Sequence, residues 1–164
     1  MNFAAAQSQR PLSMTFHKVK TLEDRVQAMR RQVWAGLRDP NMRRLALAVC
    51  AGDAWTVQDV ARKANTKPFN VARLRPCVSR DELCELWNSY AFVKDNVRYT
   101  GDPTGLDAYA TAWRTLVDLR ANDCDDHLIC HVTILGHNGW SMVARCTANA
   151  GSVDAKGRPM IGHI

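Results

Sequence analysis

The order of signals along the chain predicts an α+β protein. It would have N-terminal helices, a central helix that opens with a cysteine, and a small antiparallel sheet toward the C-terminus. Three observations carry this. Apolar residues recur at helical spacing through the first half. A capping box at residues 79–82 and the acidic segment Asn122-Asp-Cys-Asp-Asp-His127 each precede a further helical stretch. The last part of the chain shows alternation broken by turn residues, the pattern of strands.

Taken in order, residues 1–16 lack periodicity, and residues 1–20 read as a flexible arm. Thr21 can cap a helix whose stripe is Leu22, Val26, Met29, Val33 and Leu37. Asp39-Pro40 closes that helix and opens a second, over residues 40–50, stopped at Ala51-Gly52-Asp53. A short helix is expected at residues 56–63, followed by a surface excursion through Pro68 and Pro76. Ser79-Arg-Asp-Glu82 caps the next helix, with Leu83, Leu86, Trp87 and Tyr90 as its apolar face. Residues 96–100 read as extended, Gly101-Asp-Pro103 as a stop, and residues 105–121 as a weak helix or loop around Trp113 and Leu116. A helix from Asp123 through Leu128, Ile129, Val132 and Leu135 should end with Gly136 as its C′ residue. Residues 140–147 and 160–164 alternate as strands, separated by turns at Gly151-Ser152 and Lys156-Gly-Arg-Pro159. The resulting organisation is an arm (1–20), a basic helical region (21–78) and a core (79–164).

At 164 residues and 18.4 kDa the chain can bury one ordinary core. Its 46% hydrophobic and 23% charged content excludes a wholly disordered protein. The longest apolar stretch, Leu45 to Cys50, is far short of the roughly 20 residues of a membrane span. No basic start leads into an apolar segment, so the expectation is no signal peptide and a cytoplasmic origin. The six cysteines are irregularly spaced, which favours reduced, mostly buried thiols, with at most one doing chemistry.

Residues 1–80 carry 15 Lys/Arg against 5 Asp/Glu, whereas residues 81–164 carry 7 against 11. Arg25, Arg30, Arg31, Arg38, Arg43, Arg44, Arg62 and Lys63 can all lie on helix surfaces, because the apolar stripes occupy the other face. Such a patch suits an acidic partner. The sequence shows neither a helix-turn-helix nor exposed aromatic–basic interleaving, so a protein partner is preferred over nucleic acid.

Reactive groups concentrate in residues 122–127. A thiol in the first helical turn faces the positive end of the helix dipole, which favours the thiolate nucleophile. The carboxylates of Asp123, Asp125 and Asp126 oppose this, so Cys124 would want a cationic partner such as a histidine from elsewhere in the fold. A zinc site is the competing arrangement. Cys124, His127 and His131 stand at i, i+3 and i+7, on one helical face. No second Cys/His pair stands at a recognisable spacing, and the expectation is no metal and no cofactor.

This segment, followed by an apolar helix, resembles the Gly-Asp-Cys-Asp-Asp-His segment of the transglutaminase-like superfamily, papain-like thiol enzymes with a Cys-His-Asp triad. Phe92-Val-Lys-Asp-Asn-Val-Arg-Tyr-Thr-Gly-Asp102 is similar to the phrase before the cysteine in small members from bacteriophage and prophage genomes. Asp107-Ala-Tyr-Ala-Thr-Ala-Trp-Arg-Thr-Leu116 resembles the connecting segment, and residues 21–39 the N-terminal helix of such proteins. The resemblance implies that Cys124 is the nucleophile and that His163, 39 residues on, is the base. It implies action on an amide bond in a peptide or peptidoglycan cross-bridge. It also implies capsid or tail partners and a location in the host cytoplasm and the assembled particle.

Three departures accompany it. Asn122 replaces a glycine, and Ala110 stands where a glutamine often stabilises the oxyanion. The sequence ends one residue after His163, so the strands carrying the third triad acid are expected to be missing from this core. Two functions therefore stand side by side: a thiol peptidase or amidase, and an inactive structural or binding module on the same fold.

Overall fold

The computed structural model describes residues 14–17, 21–78, 80–101, 107–142, 147–153 and 159–163; side chains are described for residues 21–142 of these, except Leu22 and Asp107. Five α-helices carry most of the structure. They are α1 (Leu22–Arg38), α2 (Pro40–Ala51), α3 (Ala54–Lys63), α4 (Glu82–Asn96) and α5 (Cys124–His137). Six short strands accompany them: β1 (Met14–His17), β2 (Arg98–Tyr99), β3 (Asp107–Ala110), β4 (Ala121–Asn122), β5 (Thr147–Val153) and β6 (Pro159–His163). A π-helical segment, Arg114–Leu119, lies between β3 and β4. The fold is α+β. Among the described residues, no helix is long and apolar enough to cross a membrane.

The three N-terminal helices begin as their sequence dictates. Thr21 and Asp24 form a reciprocal capping box, both bonds at 3.1 Å. Asp39 Oδ1 accepts from Asn41 N at 2.8 Å, with Pro40 in the first turn, and Asp53 Oδ1 accepts from Thr56 N at 3.0 Å. α5 is the element the others surround, packing on α1, α2 and α4 while α3 rests on α2. Ile129, Cys130, Ile134 and Leu135 of α5 meet Met42, Leu45 and Val49 of α2 in one core cluster. Each such aliphatic side chain stabilises by roughly 2 kcal/mol. α1 can come close to α5 because Gly36 lies against Thr133 and Gly136 against Leu37.

The excursion over residues 64–81 is tied down by amide side chains. Gln58 pairs with both backbone groups of Phe69, donating at 2.7 Å and accepting at 3.1 Å. Asn96 does the same for Asn70, at 2.9 and 2.7 Å. Asn88 accepts from Arg75 N at 2.9 Å and donates to Arg75 O at 2.8 Å and Cys50 O at 3.3 Å. Each buried amide left unmatched would cost about 1–3 kcal/mol.

Several expectations are corrected. Met14–His17 lie in the presumed arm but form β1, antiparallel to β3 from Met14↔Ala110 to His17↔Asp107. α4 starts at Glu82 with Asp81 as its cap, accepting from Cys84 N at 3.0 Å, while Ser79 lies outside the described residues. Its buried face is Glu85, Asn88, Ser89, Phe92, Val93 and Asn96; Leu83 is 81% exposed, and Leu86 and Tyr90 are exposed as well. Polar side chains turn inward there because each finds a partner: Ser89 meets His131 and Glu85 accepts from Trp140.

Cys77 and Cys84 are joined in a disulfide, Cα atoms 5.7 Å apart, against the expectation of reduced thiols. Cys50 and Cys130 are buried free thiols as expected, and Cys146 lies outside the described residues. α5 continues through Gly136 to His137, capped by Asn138. Trp140 to Met142 are not strand; β5 begins at Thr147 and includes Gly151 and Ser152, where a turn was expected. The strands pair as β1–β3 and β5–β6, both antiparallel, and as a two-residue parallel pair β2–β4.

Gly52 ends α2 at φ 70°, and a Cβ there would run into the carbonyl of Arg75. Gly52→Ala combines left-handed strain with a backbone clash, and should cost about 3 kcal/mol or more. Urea unfolding checks this; a loss below about 1 kcal/mol would show that residues 75–77 are free to move away from the turn.

Candidate active site

Two short backbone pairings place the cysteine. Arg98 N donates to Arg120 O and Thr100 N to Asn122 O, both at 2.9 Å, so the end of β2 runs beside the residues that lead into α5. Asp123 caps α5 in extended conformation, with no side-chain cap bond to the helix. Cys124 follows as the first helical residue. It is half-buried, whereas Cys50 and Cys130 are buried.

Its sulfur lies 3.5 Å from Asp125 Oδ1, and ligand atoms of Asp123, Cys124 and Asp125 all fall within 4.8 Å of one another. The Tyr99 phenol lies near Cys124, and its ionisation is pushed up mainly by negative charge on that sulfur, then by burial, Asp123 and Asp125. His127, one turn along α5, sets its ring edge-on to Tyr99 with centroids 6.1 Å apart. Burial lowers the His127 pKa, so this ring is neutral at pH 7. Its Nε2 is buried with no hydrogen-bond partner among the described residues.

Of the residues singled out from the sequence, Asp123, Cys124 and Asp125 come together, and His127 stands against Tyr99. Asp126 does not join the carboxylates at the sulfur. It is buried, and its Oδ1 accepts from Ala110 N at 2.8 Å. Ala110 is thereby a structural position of β3.

His131 faces α4, with Nδ1 3.0 Å from Ser89 Oγ and its ring stacked on Tyr90. Burial, followed by the neighbouring His127, pushes its pKa down to about 4. Cys124, His127 and His131, the set weighed for zinc, share a helix but are not gathered, because His131 turns to Ser89. His163 lies in β6 with its backbone paired to Thr147, and its side chain is outside the described residues.

Tyr99 is the site residue that sequence reasoning passed over. The signal was present in the extended reading of residues 96–100, where one side chain of an alternating pair must face the following segment.

The basic residues are spread over α1 to α3. Arg30, Arg31, Arg38, Arg43, Arg44, Arg62 and Lys63 are exposed, and Arg25 is half-buried. Arg44, Arg62 and Lys63 converge on Asp59, at 2.7, 3.2 and 2.7 Å. The expectation that exposed aromatic–basic interleaving is lacking is also corrected. Arg38 lies over the ring of Trp34 and Arg62 over that of Trp55, and both rings are exposed.

No family model, no curated protein and no solved structure matches the chain.

Burial pushes the Cys50 thiol up to about 12 and raises Cys130 well above the ordinary thiol range. Iodoacetamide at about pH 7 should therefore modify Cys124 well ahead of both. Tyr99→Phe removes the hydroxyl beside the sulfur and should slow that reaction roughly two- to tenfold. Peptide mass mapping against time reads both, and equal rates at the three thiols would dissolve the distinction.

The low pKa of His131 also fixes a pH dependence. Below about pH 6.5 the unfolded chain binds a proton that the folded chain refuses until about pH 4. Stability should therefore fall by up to about 3 kcal/mol as pH drops through that window, with His127 and His137 adding in the same direction. His131→Asn should flatten the slope of unfolding free energy against pH. An unchanged slope would assign the acid sensitivity elsewhere.

Proposed function

We propose that the chain is a transglutaminase-like thiol hydrolase that cleaves an amide bond through Cys124. The observation that supports this best is the placement of Cys124. It is the free described thiol that is not buried, at the first residue of a 14-residue helix, with the Tyr99 phenol nearby. The resemblance of residues 122–127 to the nucleophile segment of that superfamily adds the chemical assignment.

In the proposed reaction the Cys124 thiolate attacks the amide carbonyl, and His163 takes the thiol proton and returns it to the leaving amine. Water then releases the acid from the thioester. Ala110 offers no side-chain donor to the oxyanion, so the first-turn N–H groups of α5, which the Asp123 side chain does not cap, are the donors this reading calls on. A peptide or a peptidoglycan cross-bridge is the substrate class, and the resemblance to phage and prophage proteins assigns capsid or tail partners.

One observation favours a second reading. Carboxylates of Asp123 and Asp125 flank the sulfur, and the nearest histidine on α5 is neutral at pH 7, a setting that disfavours the thiolate. On that reading the chain is a structural or binding module, and the cysteine segment only packs.

Acyl transfer from an activated ester separates the two. With p-nitrophenyl acetate, the intact chain should show a burst and carry an acetyl group on Cys124 by mass spectrometry. Cys124→Ser should abolish the burst, and His163→Ala should slow it about a hundredfold or more. Acylation of Cys124 no faster than that of the urea-unfolded chain, and unaffected by His163→Ala, would leave the module.

A further inference from the structure

We propose that the outward faces of α1, α2 and α3 form a binding surface for single-stranded nucleic acid, with Trp34 and Trp55 stacking on unpaired bases. The surface is independent of the thiol chemistry.

Helical periodicity assembles the surface. On α1, Arg30, Arg31, Trp34 and Arg38 are exposed while Ala28, Met29 and Gln32 face inward. On α2, Arg43, Arg44 and Leu47 are exposed, opposite the buried Met42, Leu45 and Val49. On α3 the exposed residues are Trp55, Arg62 and Lys63. Arg44 reaches from α2 to Asp59 of α3, so these two faces adjoin, and α1 packs against α2.

Charge and aromatic exposure together choose the partner. Asp59 holds Arg44, Arg62 and Lys63, while Asp24, Asp39 and Asp53 are taken up as helix caps. Counted over α1 to α3, eight Arg and Lys side chains still outnumber the five carboxylates Glu23, Asp24, Asp39, Asp53 and Asp59, an excess that attracts a polyanion. Two exposed indoles, each beside an arginine, add flat stacking surfaces to this charge. Trp34 is 55% and Trp55 69% exposed, and each has a guanidinium about 6 Å from its ring centroid. Cations that track phosphates, combined with flat rings that accept any base, are what single-strand binding requires. A duplex hides its base faces, and an acidic peptide has none, so either would engage the arginines and leave the indoles unused.

The test uses the full chain and a fluorescein-labelled oligothymidylate of about 20 nucleotides. Anisotropy should report binding accompanied by quenched tryptophan emission. For about four phosphate contacts, affinity should fall roughly 50-fold between about 50 and 200 mM salt. Trp34→Ala with Trp55→Ala should weaken single-strand binding at least tenfold, with the circular dichroism unchanged because both rings lie at the surface. Arg30→Glu with Arg31→Glu should shallow the salt dependence. No binding at about 100 μM protein in low salt would overturn the proposal. So would affinity that the tryptophan pair does not move, equal affinity for the duplex, or displacement by polyglutamate at equal charge, which would mark a surface for an acidic protein instead.

Discussion

The contact on which the arrangement around the cysteine depends is a single bond inside the core. Asp126 has no solvent exposure, and its Oδ1 accepts the backbone N–H of Ala110 at 2.8 Å. A carboxyl buried that deeply is costly unless it is matched, and its place in the first turn of α5 sets it at the positive end of the helix dipole. The bond therefore does two things. It fixes where α5 begins relative to β3, on which β1 is built, and it leaves the other two carboxylates of the segment, Asp123 and Asp125, beside the Cys124 sulfur. Asp123 and Cys124 stay half-buried and Asp125 buried beside the sulfur, while Asp126 turns away to Ala110.

The remaining order follows from how α5 is enclosed. Gly36 and Gly136 bring α1 close, α2 supplies an aliphatic face, and α4 meets α5 through Ser89 and His131 and reaches Trp140 beyond its end through Glu85. That last set is polar, and it explains where the sequence misled. Leu83, Leu86 and Tyr90 look like a buried stripe because apolar spacing is local information. Glu85, Asn88, Ser89 and Asn96 are buried because their partners stand elsewhere: Trp140, Cys50 and Arg75, His131, and Asn70. Periodicity has no access to such pairings. Some helix starts, by contrast, are written within four residues: Thr21 and Asp39 cap where the sequence places them, whereas α3 starts at Ala54 behind Asp53, two residues before the expected Thr56.

The candidate site divides in the same way. Cys124 at a helix start is legible because the acidic cap and the apolar run adjoin it. Tyr99 reaches the sulfur only through the pairing of β2 with β4, two residues long and separated by the π-helical segment. The separation of His131 from Cys124 was hidden too. Helical spacing puts both on one face, but the burial of Ser89 decides which way the imidazole turns. The Cys77–Cys84 disulfide spans a turn and a helix cap, a geometry with no spacing signature.

Amide hydrogen exchange at Ala110 tests the central contact directly. If Asp126 holds β3 to the start of α5, the Ala110 N–H should exchange only through global unfolding, among the slowest amides of the chain. Exchange as fast as at the exposed Gly101 would mean that the bond opens freely, and that Cys124 is placed by something else.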